Sequence, residues 1–144
     1  MINKNHIKIF IVDDDSFFRE LFAHHLRKLG FSEIHVFDNG QECIDNLSLQ
    51  PDIIFTDYHM SPINGIDLIK KIRSVNQEAY MLLISSQKEV QIALAAFELG
   101  AVYYIAKNKH MLEMITRVAK NICSLIQQKG QNPKQSLLHN IHYN

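Results

Sequence analysis

Apolar residues fall along this chain in two alternating patterns separated by breakers. Ile9–Val12, Ile53–Phe55 and Tyr80–Ile84 are uninterrupted apolar runs, as strands buried on both faces require. Between them, apolar positions recur every three or four residues, the spacing of a helix with one inward face. His6–Val12 predicts the first strand. Asp15 and Ser16 then stand as helix caps before Phe18, Leu21, Phe22, Leu26 and Leu29, and Gly30 supplies the stop. Glu33–Phe37 predicts a second strand. Asn39-Gly40 opens a shorter helix to about Leu47, with Cys43, Ile44 and Leu47 inward, and Pro51 ends the connection.

Asp52–Thr56 predicts a third strand ending at Asp57, and a loop holding Ser61-Pro62 and Gly65 leads to a helix with Ile66, Leu68, Ile69 and Ile72. Tyr80–Ile84 is the fourth strand, Val90–Leu99 the fourth helix, closed by Gly100, and Val102–Ala106 the fifth strand. Lys109 to about Gln128 predicts a long final helix with Met111, Ile115, Val118, Ile122 and Leu125 on one stripe. Residues 129–144 read as a polar, flexible tail with Gly130, Pro133 and an apolar Leu137-Leu138 pair, leaving 5–128 as one folded domain. Strand and helix thus alternate five times. That order predicts the α/β class: a doubly wound, five-stranded parallel sheet with helices on both faces. In such sheets ligands bind beyond the carboxyl ends of the strands, at the switch point between the first and third.

Composition narrows the picture. The 144 residues fit one domain, and 15 Lys+Arg against 15 Asp+Glu give zero formal net charge. Nucleic acid and anionic membranes select a basic excess, so direct binding to either is not expected. No apolar run is long enough to span a bilayer, and the two cysteines form no disulfide framework, which predicts a cytoplasmic protein. Total charge is silent, so the placement of charges must carry the chemistry.

Asp13-Asp14, Asp57, Ser85 and Lys107 each stand just past the last apolar residue of strands one, three, four and five. The topology gathers them on one rim. Three carboxylates there raise one another's pKa unless a cation neutralises them. An oxygen-only ligand set suits a hard divalent ion such as Mg²⁺, which keeps several waters and takes one or two carboxylates. With an amine and a hydroxyl beside it, the set suits a phosphoryl group, whose transfer needs mainly positioning and charge stabilisation. A carboxylate can itself accept such a group covalently. A flavin carrier on the same topology would need a hydroxyl- and glycine-rich loop after the first strand, where Asp13-Asp14-Asp15 would repel phosphate.

Over about residues 5–127 these motifs resemble the receiver domain of two-component response regulators. The family run Asp-x-x-Met-Pro-x-Met-x-Gly matches Asp57-Tyr-His-Met60-Ser61-Pro62-Ile63-Asn-Gly65. The resemblance implies a flavodoxin-like sheet in the order 2-1-3-4-5, with Asp57 as phosphoacceptor. It implies Mg²⁺ ligated by Asp14 directly, by Asp13 through water, by Asp57 and by the backbone carbonyl of His59. Lys107 would contact a phosphoryl oxygen, Ser85 would bond the phosphoryl group on switching, and the Tyr104 rotamer would follow. The implied activity is a phosphorylation switch, not a metabolic enzyme, catalysing only its own phosphotransfer and dephosphorylation. The implied partners are a histidine kinase or phosphotransfer protein and a downstream protein. Ile92, Phe97, Tyr103, Tyr104 and Met114, on the fourth helix, fifth strand and fifth helix, mark either a wide core stripe or a docking or homodimerisation face.

Three departures from the family pattern stand out. Pro62 is one residue late. Ser86 replaces a small Ala or Gly. Asn108 follows Lys107 where the family has Pro behind a cis bond. A cis bond before a non-proline residue costs about 2.5–4 kcal/mol, so either that strain is borne or the bond is trans and the Lys107 loop sits differently. These departures keep open a receiver-derived binding module that does not switch by phosphate, and the chain as the N-terminal fragment of a longer regulator is a further alternative. Eight histidines show no metal-ligand spacing. His59 and Gln87 flank the site, where the resemblance implies control of water access. Cys43 and Cys123 read as small core residues.

Overall fold

A computed structural model of the protein describes residues 3–86 and 89–131. The strands are β1 (Lys8–Val12), β2 (Glu33–Phe37), β3 (Ile53–Asp57), β4 (Tyr80–Ser85) and β5 (Tyr103–Ala106). The helices are α1 (Ser16–Lys28), α2 (Gly40–Asp45), α3 (Gly65–Val75), α4 (Val90–Glu98) and α5 (Met111–Gln131). All strand pairs are parallel and the sheet order is β2-β1-β3-β4-β5. This is the doubly wound α/β architecture that the alternation predicts.

The continuous apolar runs are explained by two cores. Ile9, Ile11, Ile53, Phe55, Leu82 and Ile84 pack with α1 and α5 on one face. The intervening Phe10, Val12, Ile54, Met81 and Leu83 pack with α2, α3 and α4 on the other. Successive strand residues point to opposite faces, so a strand covered on both sides must be apolar at every position. Cys43 and Cys123 are free, buried thiols within these cores, and burial pushes the Cys43 pKa up to about 12.

Element ends depart from the sequence pattern for local reasons. Lys4–His6 forms a short 3-10 turn, so β1 begins only at Lys8. Asp15 caps α1, its side chain accepting from the Phe17 N–H, and Ser16 is the first helical residue. The second helix stops at Asp45, and a separate 3-10 turn, Leu47–Leu49, continues to Gln50 in the left-handed region at φ 58°. α5 starts late because Asn108 makes a turn, its side chain accepting from the His110 N–H and its carbonyl from Met111 N–H. On α5, Leu125 is exposed and Ile126 packs on the core instead, as a 3.6-residue period drawn through Ile115, Ala119 and Ile122 requires. Most of the expected tail, 132–144, lies outside the described residues.

Candidate functional site

The register of the sheet lines up the strand ends. Val12 pairs with Phe37 and Thr56, Asp57 with Ile84, and Ser85 with Ala106, so the residues that follow or close these strands share one rim. Asp13, Thr56, Asp57 and Ser85 are the buried polar residues among those described. Burying them is costly unless each finds partners.

Asp13 is held on its backbone and its side chain. Its N–H donates to the Phe37 carbonyl at 3.1 Å, its carbonyl accepts from Arg19 Nη1 at 2.8 Å, and its Oδ1 accepts from the Asp15 N–H at 2.9 Å. Asp57 Oδ1 accepts from the Tyr58 N–H at 2.9 Å, and the Asp57 carbonyl accepts from Thr56 Oγ1 at 3.0 Å. The Lys107 N–H donates to the Ser85 carbonyl at 2.9 Å, extending the β4–β5 ladder by one bond. From there the Lys107 side chain runs back across the rim. Its Nζ lies 2.9 Å from Asp13 Oδ2 and 3.3 Å from Asp57 Oδ1, and 4.2 Å above the centre of the Phe18 ring.

Lys107 reaches the carboxylates although the Lys107–Asn108 bond is trans; the cis bond among the described residues is Ser61–Pro62. Of the two geometries that Asn108 left open, the unstrained one holds, and the ammonium still arrives between the two acids. Burial raises the Asp13 pKa above the ordinary 3.8, opposed by the bonds from Lys107 and Asp15. Burial likewise raises Asp57, with the Asp13 charge adding to it and Lys107 opposing.

Carboxylate oxygens of Asp13, Asp14 and Asp57 lie within 4.8 Å of one another, two of these residues buried and Asp14 exposed. Asp13 Oδ2 is buried without an aligned hydrogen-bond donor, although the ammonium stands beside it as an ion-pair partner. An under-satisfied carboxylate oxygen in an oxygen-only cluster with one solvent-facing member fits Mg²⁺, which retains waters. Among the described residues no histidine joins a metal-ligand grouping.

The remaining expected residues divide. Tyr104 turns inward and its hydroxyl hydrogen-bonds the Ser85 side chain; burial nevertheless raises its pKa. The His59 side chain is exposed, packed edge-on against Tyr58 at 4.8 Å and outside the acidic cluster, so only its backbone remains as a candidate ligand. Ser86 is exposed, and Gln87 lies outside the described residues. Ile92 belongs to the core, whereas Phe97 is exposed with Val90 and Leu94 along α4. Phe18 and Arg19 touch the site, yet the periodicity assigns Phe18 only to the core and leaves Arg19 without a role. A groove of about 920 Å³ lined by Asp52, Asn76, Tyr80 and Lys129 sits at the amino ends of β3 and β4, the opposite end from this chemistry.

Sheet order and acidic rim together define a doubly wound α/β domain whose polar cluster lies at the β1/β3 switch point. The model of the response regulator receiver domain matches residues 9–119, and the chain belongs to that family. It is 34% identical over 110 residues to the chemotaxis protein CheY-3 of Vibrio cholerae, covering 74% of this chain and 84% of that protein. To the chemotaxis protein CheY of Thermotoga maritima it is 29% identical, covering 78% of this chain and 98% of that one. The crystal structure of the N-terminal domain of an uncharacterized Wolinella succinogenes protein, WS1339, superposes with TM-score 0.77 at 25% identity, over 85% of this chain and 98% of that one. No helix among the described residues is long and apolar enough to cross a membrane.

Proposed function

We propose that this receiver domain is a phosphorylation switch in which Asp57 accepts a phosphoryl group from a histidine kinase or phosphotransfer protein, with Mg²⁺. The observation that carries the reading is the Lys107 ammonium held 2.9 Å from Asp13 and 3.3 Å from Asp57 on the rim. Asp13, Asp14, Asp57 and the His59 carbonyl are the groups that would hold the cation. When bound, it would offset the negative charge of the carboxylates and the phosphoryl oxygens.

The residues of the chain do the rest. A carboxylate oxygen of Asp57 forms a bond to phosphorus while the donor's N–P bond breaks, its electron pair returning to the donor nitrogen. Lys107, its side chain 7% exposed, shifts from the carboxylates to a phosphoryl oxygen, a charge-assisted contact. Ser85, bonded to Tyr104 beforehand, turns to another phosphoryl oxygen and releases Tyr104. The change reaches the face made by α4, β5 and α5. There Val90, Leu94 and Phe97 expose 71%, 54% and 46% of their surface, at i, i+4 and i+7 on one side of the helix. An exposed apolar stripe beside a switch residue suits a downstream protein partner or a second copy of the domain.

Intact mass after treatment with acetyl phosphate and Mg²⁺ tests this. One phosphoryl group should add to the wild type and none to Asp57→Ala; an unmodified wild type, or modification that survives in Asp57→Ala, sinks the reading.

A further inference from the structure

The Lys107 side chain is 7% exposed, and its ammonium carries three N–H donors that water would otherwise satisfy. Two carboxylates account for part of its surroundings, and the face of Phe18 at 4.2 Å is a further wall. Phe18 stands in the first turns of α1 between two other rings, Phe17 at 5.3 Å and Phe22 at 5.8 Å, so it is itself held in place. The backbone fixes Lys107 only as far as its Cα, through the N–H bond to Ser85. Beyond that lies a stem of four rotatable bonds. Asp13 Oδ2 at 2.9 Å and Asp57 Oδ1 at 3.3 Å draw the ammonium to the rim, and the Phe18 ring face closes one side of it.

We propose that Phe18 is a positioning residue: its ring face seats the Lys107 ammonium between Asp13 and Asp57, where an incoming phosphoryl oxygen meets it. The inference rests on the phosphoacceptor reading above and adds a residue that the strand-end pattern does not contain. A cation over an aromatic face is attracted to the ring quadrupole, most strongly where water is excluded. Holding the flexible stem in advance lowers the ordering cost of binding the phosphoryl group. In this chain the seat also serves where Asn108 leaves a trans bond after Lys107.

The test replaces Phe18 by mono-, di- and trifluorophenylalanine, nearly isosteric rings of falling quadrupole, alongside Phe18→Tyr and Phe18→Leu. Binding of beryllofluoride with Mg²⁺ is followed by amide NMR, in the wild-type and Lys107→Met backgrounds. Affinity should fall stepwise with fluorination and stay near wild type in Phe18→Tyr. Phe18→Leu should lose roughly 2- to 30-fold. All these differences should vanish in Lys107→Met. In the free protein the Lys107 Hε protons should sit upfield from the ring current and move downfield in Phe18→Leu. A flat fluorine series, or equal losses in Lys107→Met, overturns the proposal and leaves Phe18 as packing. Should Lys107→Met fail to fold, the isosteric series decides alone. A wild type that binds no beryllofluoride removes the phosphoacceptor reading and this inference with it. A wild type that binds while the fluorine series is flat removes the inference only.

Discussion

Gly65 lies against the main-chain carbonyl of Asp57 so closely that a Cβ at 65 would stand 2.2 Å from that oxygen and 2.7 Å from Leu83 Cδ1. The Gly65 N–H donates to the Tyr58 carbonyl at 2.8 Å, so the first residue of α3 is bonded to the turn that carries Asp57. Backbone and core both line the space, and neither gives way easily. Gly65→Ala should therefore destabilise the domain by about 1–3 kcal/mol through overpacking. It should also move the Tyr58 amide resonance, because Tyr58 N–H bonds Asp57 Oδ1. Urea unfolding with an amide spectrum checks both; a variant of wild-type stability and unchanged Tyr58 shift contradicts the packing argument.

Asp13 and Asp57 both have pKa values raised above 3.8, burial being the main cause. Below 3.8 the carboxyls are protonated in folded and unfolded chains alike, and nothing is lost. As pH rises from there, the unfolded chain ionises first, and stability falls until the raised folded values are passed. Above that window the whole penalty remains. Asp13→Asn or Asp57→Asn, each leaving Lys107 one acidic partner, should raise stability near neutral pH by about 0.5–2 kcal/mol. The gain should shrink to nothing at about pH 3, where all these groups are neutral. Thermal unfolding across this range, with and without Mg²⁺, measures it. Mg²⁺ should stabilise the wild type more than either variant; a pH-independent gain would mean that burial of charge is not the cause.

What the sequence made legible follows from backbone regularity. The two-sided strands are apolar at every position, so Ile53–Phe55 and Tyr80–Ile84 announce both their class and their burial. Because a parallel sheet puts every carboxyl end on one rim, the strand order alone groups Asp13, Asp57, Ser85 and Lys107. Contacts made by side chains that cross between elements were not legible. Phe18 obeys helical spacing and reads as core, yet its ring faces a lysine 89 positions away (107 minus 18). Leu125, placed inward by its spacing, faces solvent, and Ile92, left open between core and surface, is buried: a one-position turn of a helix decides which apolar residue faces in, and spacing alone leaves that phase open.

Asn108 marks a departure whose role is local. Its N–H donates to the Ala106 carbonyl at 2.9 Å, and its side chain accepts from the His110 N–H at 2.8 Å. Proline has neither the donor nor the side-chain acceptor. Asn108→Pro should therefore cost about 1–2 kcal/mol, more than Asn108→Ala, which keeps the backbone donor. Chemical denaturation of the two variants tests the order. An Asn108→Pro domain as stable as wild type would show that the turn contributes nothing.

His25 joins α1 to α5: its Nε2 lies 2.7 Å from Thr116 Oγ1, which in turn donates to the Leu112 carbonyl at 3.0 Å. Burial lowers the His25 pKa below 6.5; the Leu112 carbonyl opposes the shift, while Lys28 and His24 reinforce it. The folded state therefore favours the neutral ring. Stability that is fully present above 6.5 should be lost as pH falls through the lowered folded pKa, because the unfolded chain takes up the proton first. This loss runs opposite to the gain from the buried carboxylates, so the comparison needs a variant that isolates it. His25→Gln, which can still reach Thr116, should flatten the stability profile just below pH 6.5 while leaving the carboxylate window unchanged. An NMR titration of the His25 ring gives the same answer directly, and a midpoint at or above 6.5 contradicts it.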